Sequence, residues 1–143
     1  MRVSTYRQLE QEIKNAVKRA SYRSTVRAVR YAKGISSGPF STKELTEGDH
    51  PYAKRHGRIL SWVHPFWINK QTGTFLKGWK AVHVNVITNP IFYASNLAYG
   101  TKHFFGRPFV EMIRKTWRRL RKEEIERELA LLGMPAKSST RSE

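Results

Sequence analysis

Apolar residues recur at three- and four-residue steps near the start of the chain: Tyr6, Leu9, Ile13, Ala16 or Val17, and Ala20. That spacing puts them on one face of a helix, and a helix over 4–32 is expected. Ser4 or Thr5 caps its start, and Gly34 follows its end. Beyond Ser21 the pattern loosens, so that Val26, Val29 and Tyr31 either rotate the stripe or mark a break near Ser21. A second helical stripe runs through Phe109, Met112/Ile113, Thr116/Trp117, Leu120, Ile125, Leu129 and Leu132. Gly106-Arg107-Pro108 precedes it, with Pro108 where a missing N–H costs nothing, and Gly133 ends it.

Between these helices the period changes. Residues 58–69 are aromatic and β-branched and suit a strand, with Pro65 at an edge or bulge. Gln71-Thr72-Gly73-Thr74 is a turn signal. Residues 75–88 then alternate. Lys80, Val82, Val84, Val86 and Thr88 share one face, and Trp79, Ala81, His83, Asn85 and Ile87 share the other. That alternation predicts a strand with one buried face. Asn89-Pro90 breaks it, and 91–98 suit a short helix or a strand. The predicted fold class is α+β: a long N-terminal helix, a small antiparallel sheet with a long inserted loop, and a C-terminal helix packed on the sheet. Residues 34–57, rich in Gly, Pro, Ser and Thr, read as that loop, inside a single domain over 1–133. A loop of this length commonly serves as a clamp or an interface. Residues 134–143 read as a flexible polar tail.

Composition narrows the functional classes. The chain has 143 residues, 39% of them apolar, with 4 Trp, 7 Phe and 6 Tyr, which is enough for one modest core. There is no Cys, which excludes disulfides, thiolate metal sites and a Cys nucleophile. No apolar run approaches the roughly 20 residues of a membrane helix. No apolar stretch precedes the first helix, so no secretory leader is expected. The five His (His50, His56, His64, His83 and His103) form no helical metal-binding motif. His50, in the run His50-Pro51-Tyr52-Ala53-Lys54-Arg55-His56, reads as loop structure. Only Glu44, Glu47 and Asp49 are acidic between 34 and 106, which leaves few candidates for paired-carboxylate chemistry. No Gly-rich phosphate loop is present. The expectation is a protein without enzymatic activity, cofactor or metal.

Charge changes the picture most. With 27 Lys plus Arg against 11 Asp plus Glu, the net charge is +16, and a polyanionic partner is the usual compensation. Residues 1–33 alone hold nine cations and two acids. Arg19, Arg23, Arg27 and Arg30 step by four, four and three along the first helix and share a face, which Lys14 and Lys18 approach. No acid follows Glu12 in that helix to relieve them. They form either a solvated face or a surface turned toward phosphates by counterion release, and the overall +16 favours the second. The C-terminal helix has internal pairs instead: Arg119–Glu123, Lys122–Glu126 and Arg121–Glu124. It reads as largely self-neutralised. Trp62, Phe66 and Trp67, with Phe104 and Phe105, are an aromatic supply suited to core packing or to partner contact.

The string Gln71-Thr72-Gly73-Thr74-Phe75-Leu76-Lys77-Gly78-Trp79 resembles the TG-x-L-x-x-S/W segment of small bacteriophage head–tail joining or tail-completion (neck) proteins. Tyr93-Ala94-Ser95-Asn96-Leu97-Ala98-Tyr99-Gly100-Thr101 is similar to that family's YA-x-x-V-E-F/Y-GT. Gly106-Arg107-Pro108-Phe109 is similar to its RPF, which opens the closing helix. Order and spacing agree across 71–133. The chain departs at Ala98, where the family has an acid, at Phe75 in a Leu slot, and in the length of the 34–57 loop. The resemblance implies a structural virion protein that forms a ring, a hexamer or dodecamer, around the DNA channel between portal and tail tube. Its implied partners are copies of itself, phage proteins on the portal or adaptor side and on the tail-tube side, and genomic DNA, with no membrane. Its implied place is the virion neck, after assembly in the host cytoplasm. Arg19, Arg23, Arg27 and Arg30 are then the DNA-facing set, or lie against an acidic partner ring. The competing expectation is a soluble basic nucleic-acid-binding protein acting as a monomer or dimer.

Overall fold

A computed structural model describes residues 5–38, 73–102 and 106–134. The elements run α1 (Tyr6–Ile35), α2 (Thr74–Gly78), β1 (Lys80–His83), β2 (Val86–Thr88), α3 (Ala94–Tyr99) and α4 (Phe109–Leu131). The fold is mostly helical, with a small two-stranded antiparallel sheet. The expected loop over 34–57 therefore lies mostly, and the expected strand over 58–69 wholly, outside the described residues, as does all of the tail beyond Met134.

α1 opens on a capping box in which the Thr5 N–H donates to Gln8 Oε1 at 2.9 Å. It does not break near Ser21. Its buried face is carried by small residues at every fourth position: Ala16, Ala20, Ser24, Ala28 and Ala32. This is the i±4 ridge of helix packing, and its short side chains let a neighbouring backbone come close. Large apolar residues were the wrong guide here, because Tyr6 and Val26 end up exposed. The buried hydroxyls are satisfied within the helix. Ser24 Oγ donates to the Ser21 carbonyl at 2.8 Å, and the Thr25 hydroxyl reaches the carbonyl oxygens of Ser21 (2.8 Å) and Val84.

α4 packs chiefly along α1, antiparallel to it, rather than on the sheet as the sequence suggested. Its first half buries Phe109, Ile113 and Leu120 as expected. Its second half buries Glu124 and Glu128, and the predicted Ile125, Leu129 and Leu132 are only half-buried. The helix stops at Gly133, where the Met134 N–H donates to the Leu129 carbonyl at 2.9 Å.

The strand expected over 75–88 is instead a helical turn followed by a hairpin. Phe75 and Trp79 touch, with ring centroids 5.6 Å apart. Four strand residues would hold them about 13 Å apart, so a helical turn is required. β1 and β2 are joined at Val84-Asn85, with Lys80 opposite Thr88 and an irregularity between Ala81 and His83. The turn and the irregularity destroy the alternation, and all four β1 residues are exposed. The ambiguous 91–98 segment becomes the short helix α3.

The core is a ring cluster. Phe75, Trp79 and Phe109 meet edge-to-face, and Tyr93 stacks on Phe75 at 6.0 Å. Ala32 and Ile35 of α1 close it. Trp79 Nε1 donates to Ser36 Oγ at 3.0 Å, and that hydroxyl donates to the Ala32 carbonyl at 2.7 Å. Two glycines permit close approach. A Cβ on Gly78 would lie 2.3 Å from Asn89 Oδ1, and one on Gly106 would lie 2.5 Å from the Ala98 carbonyl oxygen.

Ala20→Leu should cost about 1–3 kcal/mol by overpacking the α1–α4 seam, measured as a lower urea midpoint. An unchanged midpoint would show that the seam has room to spare.

Candidate functional site

α1 and α4 meet through charge as well as small side chains. Glu128 is 3% exposed and lies between two arginines of α1. Arg19 donates to Glu128 Oε2 from Nε (3.1 Å) and Nη2 (2.9 Å), and Arg23 Nη1 donates to Oε1 at 2.5 Å. One turn earlier on α4, Arg27 Nη1 donates to Glu124 Oε1 at 2.7 Å, and Arg27 Nη2 to Glu123 Oε2 at 3.1 Å. Arg119 donates to the other oxygen of Glu123 at 2.6 Å. Three arginines at four-residue steps thus face carboxylates at 123, 124 and 128 across an antiparallel seam.

The burial is asymmetric, and that decides what the pairs do. The Glu124 and Glu128 side chains are almost fully covered, whereas the arginines remain between 40% and 52% exposed. The guanidinium groups hold the carboxylates through some of their N–H groups and keep the rest of their surface in water. A carboxylate buried in this way depends on its donors, because an unpaired one pays its full desolvation. The hydrogen bond from Arg19 holds the Glu128 carboxyl below its ordinary value of 4.5 against the opposing effect of burial. The hydrogen bond to Glu124 raises the already high Arg27 pKa, so this guanidinium stays charged at any pH of interest. Glu124 Oε2 is buried without a hydrogen bond, and Arg127 Nη1 lies 4.0 Å from it.

These contacts revise the charge reading. Arg19, Arg23 and Arg27 do lie along one side of α1, but that side is not acid-free, because α4 supplies the acids. Arg30 alone of the four predicted residues is exposed and outside any ion pair among the described residues. α4 is not simply self-neutralised. Its Arg119–Glu123 and Lys122–Glu126 pairs form, at 2.6 and 3.9 Å. Arg121, expected to meet Glu124, instead hydrogen-bonds the Asn85 side-chain oxygen in the hairpin turn, with its guanidinium 5.4 Å from the Trp117 ring centroid. Glu124 and Glu128 are the residues sequence reasoning missed. The available signal was two acids four apart on one helix matching arginines four apart on another.

On the other side of α4, an open apolar groove of about 410 Å3 lies between β2, α3 and α4, lined among others by Trp79, Ile87, Ala98, Tyr99, Phe109 and Trp117. The one charged residue that lines it among the described residues, Arg114, pairs with Glu111 at 3.2 Å. Among the described residues no group of His, Asp and Glu is arranged to hold a metal ion, and no helix is long and apolar enough to cross a membrane. His83 is exposed on β1. The other four histidines, Glu44, Glu47, Asp49 and the aromatics Trp62, Phe66, Trp67, Phe104 and Phe105 lie outside the described residues.

No protein-family model matches the chain, and neither a curated protein nor a solved structure matches it.

Glu128→Gln should lower stability by about 2 kcal/mol at neutral pH, the scale of hydrogen bonds to a charged partner. Because the folded carboxyl sits below 4.5, its contribution is full above that pH and is lost as pH falls through the folded value. The wild type should therefore lose stability below about pH 4.5 more steeply than the variant. Parallel acid profiles for the two proteins would contradict the paired state of Glu128.

Proposed function

We infer that this chain is a structural virion protein of a tailed bacteriophage, a head–tail connector or tail-completion subunit that forms a ring around the DNA channel. The observation that carries the reading is the convergence of three separated motif strings on one core. Phe75 and Trp79 from the first string, Tyr93 from the second and Phe109 from the third form a single ring cluster. The second string ends α3 at Gly100, and the third string returns to it through the Arg107 N–H, which donates to the Leu97 carbonyl at 2.8 Å. The residues that resemble the neck family are therefore those that build this small unit, and their shared spacing has a physical reason.

The role is architectural. The ring is built from copies of this chain, meets portal-side and tail-side proteins on its two faces, and lets DNA pass through its centre. The strong positive charge suits a subunit repeated around a polyanion, since symmetry multiplies every cation by the number of copies. The groove beside α3 and α4 supplies mostly apolar surface, which a +16 chain needs wherever it meets a copy of itself.

Light scattering and negative-stain imaging of the purified protein in high salt, which strips nucleic acid, test this. Rings with a central hole are expected, alone or on addition of a partner ring. A chain that stays monomeric under both conditions, yet binds free duplex DNA with steep salt dependence, would replace this reading with that of a soluble nucleic-acid-binding protein.

A further inference from the structure

The ion pairs across the α1–α4 seam divide the cations of α1 into two sets. Arg19, Arg23 and Arg27 are tied to carboxylates. Lys14 pairs with Glu10, whereas Arg7, Lys18, Arg30 and Lys33 are exposed and enter no ion pair among the described residues, the last three of them alongside or beyond the seam arginines. At 100° per residue Lys18, Arg30 and Lys33 fall within about a third of the helix circumference. Lys18 and Lys33 are turned away from the Ala16–Ala20–Ser24 ridge that meets α4, and Arg30 shares the side of Arg19 and Arg23 but lies beyond the last seam arginine, Arg27, along the helix. The three span fifteen residues, about 22 Å of helix length. No acid lies in α1 beyond Glu12, so no acid of this helix beyond its first two turns offsets them.

We propose that this outer ridge of α1, carried by Lys18, Arg30 and Lys33, is the surface that contacts the phosphate backbone of duplex DNA. This assignment rests on the ring reading for its biological setting, but the contact itself is a property of the ridge. The paired arginines are weaker candidates because the charge of each is already offset by a carboxylate within hydrogen-bond distance. Between the three free cations the only exposed large apolar residues are Tyr22 and Val26. Two side chains are too few for the apolar centre of a protein interface, which needs about 800 Å2 per partner. Phosphate contacts need charge and little else, and they tolerate such a surface. The ridge therefore fits DNA better than an acidic protein.

The test is a salt titration of duplex DNA binding, starting at low ionic strength, with the full chain. Three proteins are compared: wild type, Lys18→Gln/Arg30→Gln/Lys33→Gln, and Arg19→Gln/Arg27→Gln. Each phosphate contact contributes about 0.9 to the slope of log K against log salt, so the ridge variant should lose about 2.7 of that slope. Its thermal midpoint and its ring formation should stay as in wild type, because none of the three side chains is in the seam. The seam variant should lower the thermal midpoint and change the slope little. A ridge variant with an unchanged slope overturns the proposal, as does a wild type that shows no binding at low salt. So does an acidic partner protein whose binding the ridge variant abolishes while DNA binding persists. Failure of the ring reading shows separately, as an absence of rings in all three proteins.

Discussion

The structure depends on the close antiparallel contact of α1 with α4, which has two requirements. Small side chains at every fourth position of α1 let the backbones approach. Buried carboxylates on α4 must then find cations at that short distance. Arg19, Arg23 and Arg27 meet the second need only because their four-residue step matches the i±4 ridge of the first. A helix so densely basic would repel itself in isolation. Here part of that repulsion becomes attraction across the seam, and the rest is left on the outer ridge, where it is available to a partner.

The second structural unit, the ring cluster, is joined to this seam at one end of α1. Trp79, Ser36 and the Ala32 carbonyl form a hydrogen-bond chain that ties the aromatic core to the last turns of that helix. The Val84 carbonyl meets Thr25, and Asn85 meets Arg121, so the hairpin turn is held by both long helices. The two β strands have little burial of their own, and a two-stranded ribbon is marginal in water. These polar contacts at its turn anchor it to the helices.

Much of this was legible in the sequence. The two long helices, the Thr5 cap, the stop at Gly133 and the break after Thr88 follow from local chemistry. What escaped was non-local. Glu124 and Glu128 look like ordinary solvated acids until a second helix is placed beside them, because no single-helix pattern marks an acid for burial. Ala16 and Ala20 were visible in the first stripe, but its continuation through Ser24, Ala28 and Ala32 was overshadowed by Val26, Val29 and Tyr31, since large apolar residues draw attention while close approach rewards small ones. The alternation from 75 to 88 was real in the letters. It could not register the turn at Val84-Asn85 or the helical turn that brings Phe75 to Trp79. For the candidate site, the spacing of the arginines was visible and their division into bound and free sets was not.

The two arginines that share Glu128 make the seam fault-tolerant on one side only. If either Arg19 or Arg23 is lost, the carboxylate keeps a donor, so single changes at these positions should be mild and only the double change severe. No other acid among the described residues pairs with Arg19 or Arg23, so the loss of Glu128 leaves both cations to solvent at once. Sequence drift at this node is therefore free to move the positive charges one at a time, while the negative charge they surround must stay where it is.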